Sequence, residues 1–305
     1  MKSLAAFIMR SRWSAALIAS VAAASFWLFP PLLILSGAVV ALVTLRRGGV
    51  EGALIMALAG IVAAGLIWPV LGDPQPMLDV LLATWLPVWL LALALRATIS
   101  LSRTLQTAAL LGLLGVAGFY LALGDPAIWW SAVLDHFQRE LAALAPSVPA
   151  GDHALLGQWL ELLKAWAPWL PGQVVSAVLM VVLLALLLGR WQQALLFNPG
   201  GFRPEFHELR LGQPLAAFTL ALFGSTLLLG WPPLANGLLA LGMPYTVQGI
   251  ALVHAMVFKR RLSPAWLVLF YLLLIPFLSQ LVMALGVVDA WADFRNRIRS
   301  RPDPR

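Results

Sequence analysis

Glu205, His207 and Glu208 are the tightest cluster of potential metal ligands in this chain. Two carboxylates and an imidazole suit a divalent cation, but their spacing does not. On a helix, positions 205 and 208 face one way and 207 another. All three lie in Asn198–Gly212, NPGGFRPEFHELRLG, a stretch of glycine, proline and charge that reads as a solvated connector. No metal site is expected from it. Cysteine is absent from the 305 residues, which excludes thiolate ligands, disulfides and cysteine nucleophiles. HExxH, GxSxG and Walker A signatures are absent too. With only four histidines, cofactor chemistry has little to stand on. The chain is expected not to be an enzyme and to need no cofactor.

Polar side chains inside long apolar stretches are costly and therefore informative. Asn236, Tyr245, Gln248 and His254 fall in one such stretch and Gln280 in the next. Tyr245 and Gln248, three apart, share a helical face. His254, six beyond Gln248, points elsewhere. These five are the candidate ligand-binding residues, forming a small polar pocket for a neutral or aromatic ligand. The competing reading is interhelical hydrogen bonds that hold a bundle together. No mid-span carboxylate offers a proton relay, which argues against proton-coupled transport.

Composition sets the elements that carry these groups. The chain is 61% hydrophobic and 11% charged, against about 25% charged in soluble domains. It reads as an all-α, polytopic transmembrane helical bundle. The net charge of +7 comes from short basic clusters beside apolar runs, the pattern of the positive-inside rule, so no nucleic-acid partner is expected. The N-terminus resembles a signal peptide, but its apolar run continues and reads as an uncleaved span.

About 20 apolar residues cross a bilayer. Phe29–Pro31 divides a first helix at about 13–29 from a short second one at about 32–45. Single spans follow at 52–72, at 74–95 from near Met77, at 104–124, and at 165–189 from near Pro171. Residues 211–258 must hold two spans, broken at Gly230–Pro233, and 262–288 hold the last. With Lys2, Arg10 and Arg12 inside, alternation gathers 13 of the 20 basic residues on the inner side. Five more arginines in the tail then fall outside after nine crossings, and inside if one late segment does not cross. A break candidate for that segment is Pro276. Eight or nine membrane segments remain open, with a lean to an inside tail and the N-terminus cytoplasmic.

Within a single integral membrane domain spanning 1–305, three parts stand apart. Residues 125–170 read as an outer hairpin of two interfacial helices, with a lid over an outward cavity as the alternative. Trp129, Val133, Phe137, Leu141 and Leu144 form an apolar stripe, Asp135/Arg139 and His136/Glu140 form i,i+4 pairs, and Trp159, Trp166 and Trp169 suit the headgroup layer. Residues 197–212 are the cytoplasmic connector. Residues 289–305 are a basic amphipathic tail, with Trp291, Phe294 and Ile298 on one face and Asp293 four before Arg297. Ala15, Ala19 and Ala23 form a small-residue ridge on the first helix. These alanines, with Arg203, Arg210 and Arg295, are the candidate partner contacts.

ALVTLRRGG (41–49), the connector, QGIALVHA (248–255) and GVVDAWADFR (286–295) together resemble the YybS-like family of predicted bacterial membrane proteins. That resemblance covers nearly the whole chain and implies a multi-pass protein of the bacterial inner membrane. The front half is more distantly similar to the S components of energy-coupling factor transporters. This implies a short early helix and an alanine ridge, here Ala15, Ala19 and Ala23, that docks on a membrane coupling subunit. The chain departs from that pattern in its three further segments and in lacking vitamin-binding residues. The expected function is capture or transport of a small solute from the outer side. The alternative is an assembly protein that binds a cytosolic or membrane partner through its basic loops and tail.

Overall fold

Prolines and charges divide this chain, and its computed structural model, which describes residues 1–144 and 150–297, follows those divisions. Among the described residues there is no strand, and the fold is an all-α helical bundle. The first apolar run gives α1 (Lys2–Arg10), α2 (Arg12–Ala24) and α3 (Leu32–Arg47). The separate α1 was not expected from the sequence. It ends because Ser11 caps α2 reciprocally with Ser14: each backbone N–H donates to the other's Oγ at 3.0 Å. The Phe-Pro-Pro break separates α2 from α3 as expected.

The stretches expected as single spans form α4 (Gly49–Leu71), α5 (Gln75–Thr98), α6 (Leu101–Leu123) and α9 (Leu170–Phe197). Between α6 and α9 lie α7 (Pro126–Leu144) and α8 (Ala150–Ala165). The connector contains one short helix, α10 (Phe202–His207). α11 (Gln213–Leu229) and α12 (Pro232–Lys259) divide at Gly230, whose φ of 61° and the prolines after it stop the first helix. The last segment comprises α13 (Ala265–Leu273), a π-helical turn over Leu274–Leu278 and α14 (Ser279–Ala292), followed by α15 (Phe294–Arg297). Five helical stretches are long and apolar enough to cross a membrane among the described residues, and α11 and α14 are shorter apolar helices.

The chain forms two compact units. One comprises Met1–Leu111, Ala177–Ala217 and the described residues from Gly242 on. Its core packs α2 against α3 and α4, and α3 against α5. The alanine ridge belongs to that packing. Ala15, Ala19 and Ala23 are buried, and Ser36 on α3 donates to the Ala19 carbonyl at 2.8 Å while accepting from Trp85 Nε1 at 3.1 Å. The ridge expected to receive a partner's helix thus receives helices of its own chain, because small residues let neighbours approach wherever the neighbours come from. A further close crossing joins α12 to α14, where a Cβ on Gly249 would meet the Val282 carbonyl and one on Gly286 the Tyr245 carbonyl.

The second unit comprises the described residues of Gly112–Ser176 and Phe218–Leu241. Here α7 and α8 are tied by Trp130 Nε1 donating to the Leu163 carbonyl at 2.9 Å. The expected Asp135/Arg139 pair is not made. Lys164 takes the Asp135 carboxylate at 2.9 Å, and Arg139 donates to the Asp135 backbone carbonyl instead. The His136–Glu140 contact is present at 3.2 Å. Trp129, Val133, Phe137, Trp159, Trp166 and Trp169 are all exposed. The side chains of Leu141 and Leu144 lie outside the described residues.

Candidate functional site

The connector is fixed at both ends by glycine. Gly200 (φ 87°) and Gly212 (φ 83°) occupy backbone conformations that L side chains rarely adopt. Between them, Leu209 and Leu211 are fully buried. Arg210 N–H donates to Ser102 Oγ at 3.0 Å, Leu211 N–H to Gln248 Oε1 at 2.8 Å, and Gln106 Nε2 to the Leu211 carbonyl at 2.8 Å. The stretch read as a solvated loop is therefore seated on α6 and α12, its backbone groups satisfied by side chains whose pairing no local spacing could announce.

The α10 turn separates its polar groups. Glu205 accepts from Arg190 Nε at 2.9 Å and from Nη2. Glu208 is exposed. His207 faces the other way, its ring 6.4 Å from His254 and 5.4 Å from Phe258. Glu205, His207 and Glu208 thus do not converge, and no group of three or more potential ligands gathers elsewhere among the described residues.

Two cavities share α10 as a wall. The smaller, about 280 Å³, is lined by Leu45, Arg96, Arg190, Gln193, Asn198 and Glu205 among others. Arg96 Nη1 donates to the Leu45 carbonyl at 3.0 Å. The larger is a groove of about 930 Å³ between α9, α10, α12 and α13. Its walls are mostly apolar, from Leu184, Leu187, Leu188, Val247 and Ile250, with Arg203, His207, His254 and Tyr271 as the main polar groups. His254 Nε2 and Tyr271 OH are 2.8 Å apart. The Arg203 guanidinium lies 5.3 Å from the Phe258 ring centroid. The His207 pKa is lowered to about 4, chiefly by burial and then by His254, Arg203 and Arg295, so the ring is neutral near pH 7.

Of the five polar candidates, only His254 lines this groove. Gln248 is buried in a network with Leu211 N–H, the Gly286 carbonyl at 2.8 Å and Asp289 Oδ2 at 3.3 Å. Tyr245 is buried beside Gly286. Asn236, in the second unit, accepts from Gly172 N–H at 2.7 Å and donates toward Tyr120 OH at 2.8 Å, the Pro168 carbonyl at 2.7 Å and the Pro232 carbonyl at 2.9 Å. Its hydrogen-bonding capacity is used up inside the fold. Gln280 is exposed and accepts from Ser279 Oγ at 2.8 Å. Four of the five therefore do not meet in a pocket. The groove's Tyr271 was missed because a tyrosine in an apolar run gives no signal until the chain folds back on His254.

The connector also meets the tail. Arg210 Nη2 lies 2.6 Å from Asp293 Oδ1, and Lys259 Nζ donates to the Arg295 carbonyl at 2.6 Å. Arg295, only 4% exposed, pairs with the equally buried Asp289. Asp293 takes a left-handed conformation (φ 45°) and accepts from Asn296, so it does not pair with Arg297 as expected. Ile298 and the arginines at 299, 301 and 305 lie outside the described residues. Of the three candidate partner-contact arginines, Arg210 and Arg295 are paired within the chain, and Arg203 lines the groove. No family model, curated protein or solved structure matches this chain.

Proposed function

We propose that this is a multi-pass protein of the bacterial inner membrane, akin to the YybS-like family, that binds a small ligand in the groove walled by its connector. The observation that carries the reading is the groove itself: about 930 Å³, largely apolar, with the His254–Tyr271 pair and Arg203 at its edge. Pockets of this size with a few polar groups are where small ligands bind. Capture or transport remains the broad class, but the ligand enters at the end of α9 and α12 that carries Lys259 and the connector. Ala15, Ala19 and Ala23 are buried in the chain's own packing, so docking through that ridge in the manner of an S component has no support here.

Eight crossings with both termini cytoplasmic follow from the same reading. The last segment leaves α12 at Lys259 and returns to it, as the contact from Lys259 to the Arg295 carbonyl indicates. The exposed tryptophans of α7 and α8 suit the outer headgroup layer. The alternative is an assembly protein acting through its basic connector and tail, which the Arg210–Asp293 contact joins to each other.

Mass spectrometry of protein purified in mild detergent separates these readings. A co-purified small molecule that is lost in a groove-filling Leu187→Trp variant is expected. A bare groove, with cytosolic proteins captured and then lost on removing the tail arginines, would support assembly instead.

A further inference from the structure

From the groove's dimensions and charge we infer that its ligand is an anionic lipid of the inner leaflet, with its chain along α9 and α12 and its phosphate at Arg203. This rests on the ligand-binding reading above and specifies the ligand.

Depth is the first argument. The groove follows α9 from Leu184 to Leu195 and α12 from Val247 to His254, with Phe258 beyond it under Arg203. At 1.5 Å per residue the α9 wall is about 16 Å long. One leaflet of a hydrocarbon core about 30 Å thick has nearly that depth. The deep end offers only Leu184, Leu187, Leu188, Val247 and Ile250, which suit a chain and nothing polar. Polarity appears only at the end where α12 reaches Lys259.

Charge is the second argument. Arg203 is exposed at the groove's mouth and forms no ion pair among the described residues. No carboxylate lines the groove. By contrast Arg190, Arg210 and Arg295 each hold an acidic partner. A guanidinium presents a planar fork of donors that matches phosphate. His207 on α10 and the His254–Tyr271 pair between α12 and α13 add further polar groups to the same groove. A zwitterionic lipid would bring a cation to this site and meet Arg203 unfavourably.

The test uses the intact protein in nanodiscs containing phosphatidylglycerol or phosphatidylcholine, each carrying a mid-chain diazirine, with photo-adducts mapped by peptide mass spectrometry. Labelling of residues 184–195 and 247–254 should be about tenfold greater with phosphatidylglycerol, the ratio expected of one charge-assisted contact. Arg203→Gln should reduce that ratio to within twofold, while Arg103→Gln should leave it unchanged. Equal labelling by the two lipids would overturn the anionic headgroup while keeping an occupied groove, and a preference that survives Arg203→Gln would overturn Arg203 as the seat of the phosphate. Labelling of the groove no greater than that of the exposed face of α11 would overturn both the lipid and the groove as a ligand site. Protection of the groove by inorganic phosphate alone would overturn the lipid as the source.

Discussion

Single residues here divide into those whose polarity is consumed by the fold and those left facing a cavity. Gln248 is the clearest of the first kind. Gln248→Leu strands the Leu211 N–H in a buried setting, while the Asp289 carboxylate keeps Arg295, and a loss of about 2 kcal/mol in stability is expected from the unpaired donor. Gln280→Ala, at an exposed position, should fall within about 0.5 kcal/mol of the parent. Thermal unfolding in one detergent compares the two directly. His207 gives a pH signature. Its folded pKa, about 4, lies below the unfolded value of about 6.5. The unfolded chain therefore binds the extra proton between those values, so the contribution is fully present above about pH 6.5 and lost as pH falls toward 4. Stability measured across that window should decline with acidification, and His207→Asn should flatten the slope.

Among the elements, close approach distinguishes one helix pair from another, because the long helices are all apolar. Ala19→Leu should therefore act inside the chain, by overpacking α2 against α3, at a cost of about 1–3 kcal/mol. Co-purification of the variant at parental yield with an intact partner complex, and no drop in melting temperature, would refute that account. The helices themselves were legible in the sequence wherever proline, glycine or charge interrupts an apolar run: the breaks at 29–31 and 230–233 fall where expected. Helix ends without such marks were not legible. α9 runs on to Phe197, past the expected limit at 189, because Arg190 and Gln193 are compatible with a helix when neighbours satisfy them, Arg190 through Glu205 and Gln193. The reciprocal Ser11–Ser14 cap that separates α1 from α2 went unread because short polar residues at that spacing are common. The site was legible only as a list of polar residues. Which of them face a cavity depends on how α10 and α13 fold back on α12, and Tyr120, Tyr271 and Asp289 enter as partners through packing alone.

For the whole molecule, the contacts of Lys259 with Arg295 and of Arg210 with Asp293 bring the end of the last helix to the connector. A reporter fused after Arg305 is accordingly expected to read cytoplasmic, and a periplasmic reading would mean that α13 and α14 cross. The position of α10 has a further consequence. It presents Glu205 to a cavity of about 280 Å³ and Arg203 and His207 to the groove of about 930 Å³. A shift of this shared wall toward one chamber encroaches on the other. Occupancy of the two chambers is then linked thermodynamically: whatever free energy a guest in the groove adds to or takes from binding beside Arg190 and Glu205, a guest there must return in equal measure.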